Sequence, residues 1–141
     1  MSADTISDIL VKTTDLPRVP LAEGIGCRVL HTSSETETWT TLLCALVGSP
    51  YAKHRHLGQG KIFLVKGRME YRAVSAIEGE YGYKFLNAVN KETNFPKYSE
   101  LYFTKLGPVV FFDEDDNVIS IPDQSVRTQL AAVHSSGVKT E

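Results

Sequence analysis

Apolar and polar residues alternate in short runs through most of the chain, which is the pattern of half-buried strands. "IGCRVLHTS" and "WTTLLCALVG" are rich in β-branched and apolar residues and flank the polar stretch "SETET", which predicts a hairpin. "KIFLVKG" runs directly into "RMEYRAV", and Gly67 between them suits the positive φ of a tight turn. "GEYGYKFL" predicts a strand with Tyr81, Tyr83 and Phe85 on one face and Gly82, Lys84 and Leu86 on the other, Lys84 turned inward. "SELYFTKLGPVVFF", the acidic turn "DEDDN" and "VISI" follow. Many short strands separated by close turn signals predict an all-β sandwich or barrel. Two segments have helical spacing, "TISDILVKT" and "DQSVRTQLAAV", the second with Asp123 as its cap, and both are expected as short flanking helices or irregular arms packed on the sheet. The tail "SSGVKTE" is expected to be mobile.

A chain of 141 residues is the size of one domain. Its 42% hydrophobic and 23% charged residues are those of an ordinary globular protein. A net charge of −2 provides no basic surplus for nucleic acid or anionic lipid. No apolar run is long enough to cross a bilayer and "MSADTISDIL" is not a leader, so a cytoplasmic location is expected. Cys27 and Cys44 lie in apolar stretches and read as small buried side chains.

The candidate chemistry is in "YAKHRHLGQGKIFLVKG". Residues i and i+2 of a strand share a face, so His54 and His56 project side by side. Two imidazoles so placed can share a first-row metal ion, or can equally be two polar side chains at an exposed strand end.

"HRHLGQGKIFLVKG", closed by Gly67, resembles the first motif of the cupins, small double-stranded β-helix (jelly-roll) proteins. "GRMEYR", "GEYGYKFLNAV" and "GPVVFFDEDDNV" resemble successive segments of the acetylacetone-cleaving dioxygenase type of cupin, so the likeness runs from about Cys27 to Ile121. It implies an arm over residues 1–24, a barrel over 25–122, and a C-terminal helix and tail over 123–141. It also implies a homodimer, with the N-terminal arm as the suspected contact, and a small-molecule ligand in the barrel mouth.

The resemblance further implies a three-histidine site for a divalent metal, Fe(II) first, with Mn, Zn or Ni as alternatives. His54 and His56 match two of its ligands. In the segment resembling "YEPxGxxH", Asn90 stands in the third histidine's place, Lys84 in that of a glutamate and Phe85 in that of the proline. The glutamate ligand of the wider cupin pattern corresponds to Gly60. An amide oxygen is a poor substitute for imidazole, and an inward Lys84 repels a dication, so the metal of this site is weak or absent.

The other candidates have plainer readings. His31 and His134 read as structural or peripheral, Glu70 as an outward strand position, and "DEDDN" as a hairpin turn lacking the glycine and distant glutamate of a calcium loop. Trp39 and the tyrosines are expected in the core and pocket lining. Three functions follow. The chain is a metal-dependent oxygenase cleaving a β-dicarbonyl or related enolisable ketone, with His54 and His56 as ligands helped by Asn90. Alternatively, it is a metal-free isomerase, cyclase or lyase in which Lys84 and the histidines do proton transfer. The third is a non-catalytic small-molecule binder or dimeric partner protein.

Overall fold

A computed structural model describes residues 9–71, 74–90 and 93–140, with residues 71, 74, 90 and 134–140 described as backbone. The largest sheet contains β1 (Val19–Ala22), β2 (Ile25–Ser33), β3 (Thr38–Ala45), β12 (Ser99–Leu106), β6 (Gly60–Lys66) and β9 (Tyr81–Lys84), in the order β1-β2-β3-β12-β6-β9. A second sheet orders β10 (Val89–Asn90), β5 (His54–His56), β13 (Val109–Phe112) and β14 (Val118–Ser120). A third orders β4 (Pro50–Tyr51), β11 (Thr93–Asn94), β7 (Arg68–Tyr71) and β8 (Val74–Ile77). Every pairing is antiparallel. This is the all-β jelly roll that the alternation and the resemblance imply.

One core serves all three sheets. Val19, Cys27, Trp39, Leu43, Leu64 and Leu101 of the large sheet pack with Met69 of β7, Val109 and Phe111 of β13, and Phe95. The alternation does the sorting: in β12, Ser99, Leu101, Phe103 and Lys105 are buried while their neighbours are half-exposed. Cys27 and Cys44 are buried free thiols, as their apolar surroundings imply. Of the tyrosines, Tyr51 is buried, but Tyr81 and Tyr83 stand on the outer face of β9, exposed because Gly82 and Lys84 take the inward positions.

β2 and β3 form the expected hairpin, closing at Ser33 opposite Thr38. Gly67 has its positive φ, 93°, but β6 and β7 do not pair; the residue carries the chain from the large sheet into the third one. A Cβ there would overlap Tyr98 O and lie 2.7 Å from Ser99 Cα.

Helix α1 (Gln124–Thr140) begins at Asp123, whose Oδ1 accepts from Val126 N at 3.1 Å and from Ser125 Oγ at 2.7 Å. Residues 135–140, expected as a mobile tail, continue this helix. Only Gly137 interrupts its helix-compatible run, and one glycine costs about 1 kcal/mol. The other expected helix lies partly outside the described residues. Its described part has no α-helix, only a single 3₁₀ turn at Thr13–Asp15. Ile9 and Val11 lie beside Leu30 and His31 of β2 but, with Leu10, stay exposed, so little burial is available to stabilise a helix in the described part.

Gly67→Ala should destabilise the fold by about 3 kcal/mol, from the left-handed backbone and the overlap with Tyr98 and Ser99 together. Chemical denaturation of the two proteins measures this. A loss below about 0.5 kcal/mol would show that the crossing between sheets is loose at this point.

Candidate functional site

His54 and His56 lie on β5, between β10 and β13, with exposed Arg55 between them. The alternation that exposes Arg55 drives both imidazoles into the barrel, where they are 3% and 1% exposed. Their ring centroids are 5.0 Å apart. His54 packs on Phe111 at 5.1 Å and Tyr51 at 5.3 Å, and its Nδ1 lies 2.9 Å from Ala52 O. A carbonyl can only accept, so Nδ1 carries the proton and Nε2 is left as a bare lone pair. Both ring nitrogens of His56 are buried without a hydrogen-bond partner among the described residues.

The floor of the site is one row across the large sheet. The register aligns Trp39 with Lys105, Lys105 with Gly60, and Gly60 with Lys84, so the four residues share the inner face. Lys84 is 6% exposed and Lys105 3%. Gly60 creates the space between the two lysines: a Cβ there would lie 3.2 Å from His56 Nδ1 and 3.5 Å from Lys84 Cβ. The glycine in the place of the wider pattern's glutamate thus lets the His56 ring rest on the sheet.

The electrostatics are one-sided. The buried polar and charged residues described include His54, His56, Lys84, Lys105 and Arg127, and no carboxylate. Burial, then repulsion from Lys105, pushes His54 down to about 3 and His56 to about 2, with Lys84 adding to both. Both imidazoles are therefore neutral at physiological pH. Burial also lowers Lys105 to about 7, helped by Arg127 and Lys84. Among the described residues, aromatic faces and not acids hold Lys105 and Arg127. Lys105 Nζ lies 4.8 Å from the Trp39 centroid and 4.7 Å from that of Phe103, and Arg127 Cζ lies 4.9 Å from Trp39.

His54, His56 and Lys84 thus converge on one interior. The backbone of Asn90 pairs directly with His54 across β10 and β5, while its side chain lies outside the described residues, as does that of His134. His31 is exposed. Glu70 accepts from Arg68 Nε at 3.1 Å in a half-exposed ion pair. In "DEDDN", Asp113 accepts from the backbone N–H groups of Asp115 and Asn117, and Asp116 pairs with Lys53, so the turn is a structured hairpin end. Lys105 and Arg127 were not singled out from the sequence. The period of "SELYFTK" carried the signal for Lys105, which falls in step with Leu101 and Phe103.

The donor set answers in part to a metal. Neutral imidazoles, one oriented through its Nδ1 and one with unpaired nitrogens, are the form metal ligands take. Yet no third His, Cys, Asp or Glu joins them among the described residues, Gly60 offers no side chain, and Lys105 is a buried amine whose positive charge repels a dication. The pair alone fits weak metal binding; the described residues supply two of the donors that a resident catalytic metal needs.

The ChrR cupin-like domain family matches residues 6–110. A protein named acetylacetone-cleaving enzyme, from Acinetobacter johnsonii, is 38% identical over 121 residues, covering 78% of this chain and 79% of the relative. The crystal structure of an acetylacetone dioxygenase from the same organism superposes with a TM-score of 0.84 at 32% identity, over 95% of this chain and 97% of the other. An RmlC-like cupin protein from Ralstonia eutropha reaches 0.88 at 17% identity over 97% and 92%, a likeness of fold. Among the described residues no helix is long and apolar enough to cross a membrane.

The neutral imidazoles have a consequence for stability. Their folded pKa values lie below the unfolded value of about 6.5, so between pH 6.5 and about 3 the unfolded chain binds more protons and stability falls with pH. The expected slope is up to about 2.7 kcal/mol per pH unit for the pair, and none from these groups above pH 7. Denaturation across pH 4.5–7.5 should show this slope, shallower in His54→Gln/His56→Gln. An equal slope in both proteins would mean that the histidines are protonated in the folded state.

Proposed function

Because the chain belongs to the ChrR cupin-like family and is dioxygenase-like in sequence, we propose that it acts on a β-dicarbonyl or related enolisable ketone whose enolate forms inside the barrel. One observation carries this reading: Lys105, an amine 3% exposed, shares an interior face with Lys84 and two neutral imidazoles, without a buried carboxylate among the described residues. Such an interior favours an anion. The name of the A. johnsonii relative supports the ketone class.

Burial brings Lys105 to about 7, so a large fraction of the amine is neutral at physiological pH and is matched to work as a base. In the proposed step Lys105 Nζ takes a proton from the carbon between the two carbonyls. The C–H electron pair passes to the carbonyl oxygens, and the new Lys105 ammonium and the Lys84 cation hold the charge in a site of low dielectric. His54 Nε2 accepts a hydrogen bond, and His56 has one nitrogen to donate and one to accept, which orients the substrate or a water. Return of the proton to a different carbon makes the step an isomerisation; loss of a neighbouring bond makes it a lyase or cyclase step.

A second reading, oxidative cleavage with Fe(II) or another divalent metal on His54, His56 and Asn90, is favoured by the unpaired nitrogens of His56 and by the relative's activity. A bound metal would supply Lewis acidity and a route to dioxygen.

Two measurements separate the readings. Titration with acetylacetone at pH 7 should give the near-ultraviolet spectrum of its enolate, weakened at least about tenfold in Lys105→Met, a loss of about 1.4 kcal/mol. Elemental analysis after growth with iron and manganese should find far less than one metal ion per chain. About one ion per chain, lost in His54→Ala/His56→Ala together with acetylacetone-dependent oxygen uptake, would replace the acid–base reading with the oxidative one.

A further inference from the structure

A cavity of about 290 Å³ lies beyond the histidine pair, between β1, β14 and the start of α1. Its walls are largely apolar, with Leu21, Tyr51, Phe111, Ile119 and Leu130 among them, and one charged residue, Arg127, faces in. Arg127 is 5% exposed and its Nε is buried without a hydrogen-bond partner among the described residues. Among the described residues no ion pair reaches the guanidinium. The neighbouring acid on the chain, Asp123, has its Oδ1 committed to the helix cap. Nor do the nearby acidic side chains supply an anion: burial raises the Tyr51 hydroxyl to about 12 and raises the Cys27 thiol.

A guanidinium enclosed this far is ordinarily paired, because an uncompensated buried charge costs several kcal/mol. Stacking on Trp39 satisfies its face, but its N–H edge still needs an acceptor. The cavity is near the lower end of the size of small-molecule sites, mostly apolar with one convergent polar group.

We propose that this cavity binds a small aliphatic monocarboxylate, with the carboxylate on the Arg127 guanidinium and the alkyl chain against Leu21, Ile119 and Leu130. This assignment is independent of the enolate reading, since it uses neither lysine nor either histidine.

Trp39 is the one tryptophan of the chain, and the Arg127 guanidinium rests against its ring, so occupancy is visible in its fluorescence. The experiment titrates the full chain with hexanoate and with the neutral isostere hexanamide. Hexanoate should give a saturable change, with hexanamide at least about tenfold weaker, as a charge-assisted bidentate pair requires. Arg127→Met should level the two ligands. Ser120→Phe, at an exposed position on the cavity wall, should abolish both titrations with Arg127 in place. Equal titration by the two ligands, or no saturation by hexanoate in the unmodified protein, overturns the proposal. Unchanged hexanoate binding in folded Arg127→Met or Ser120→Phe overturns it equally.

Discussion

Two buried cations, Lys105 and Arg127, are held by aromatic faces, and the properties of the site follow from that arrangement. Lys105 and Arg127 both lie against Trp39, whose Nε1 is anchored to Gly107 O at 2.8 Å. Cation–π contact contributes about 2 kcal/mol when desolvated, less than the several kcal/mol that burial of an ammonium costs. The difference appears as a shift in protonation: Lys105 is lowered to about 7. A carboxylate beside it would have kept it charged and inert. Burial holds the imidazoles neutral, and repulsion from Lys105 adds to it, so the lowered Lys105 and the neutral ring nitrogens share one cause, the removal of these groups from water.

Gly60 shows how the backbone sets this chemistry. It stands in the floor between Lys105 and Lys84, beneath His56. A glutamate at this register would place an acid against both ammonium groups and the ring, giving the interior a counter-charge. The glycine leaves only space, into which the His56 ring settles with its nitrogens unpaired, at about 1–3 kcal/mol for each polar atom left unsatisfied. Substrate or ordered water that bonds those nitrogens recovers this energy, so the local instability of the free protein is also part of its affinity.

The strands were legible because they need only period two, and the site residues on a clear period were legible with them. His54 and His56 could be put on one face from "HRH", and Lys84 turned inward from "GYK"; that the histidine face is the inner one follows from the burial of β5 between β10 and β13. Lys105 obeys the same period in "SELYFTK", but a lysine in an alternating strand suggests the solvent face, and only register beside Gly60 and Trp39 shows it inside. Arg127 was less accessible, since its burial depends on where α1 lands across the barrel, a long-range fact that helical spacing does not contain. The crossing at Gly67 has the same cause: local chemistry gives the positive φ, while sheet membership decides that β6 and β7 part there. The described end of the N-terminal segment takes the irregular alternative, since its periodic residues Ile9, Leu10 and Val11 stay exposed.

The two sites share walls. Tyr51 and Phe111, edge to face at 5.4 Å, line the Arg127 cavity and also pack on His54. Close packing means that an occupant pressing on these rings is felt at the His54 imidazole. Charge connects the sites as well, because Arg127 is among the groups that lower Lys105. A carboxylate that neutralises Arg127 removes this repulsion, raises Lys105 and leaves less of it as free amine. An anion in the outer cavity therefore leaves less free amine for proton abstraction at the inner site, and by reciprocity protonation of Lys105 strengthens the hold on the outer carboxylate. The coupling originates in two cations sharing one indole, with no acid between them among the described residues.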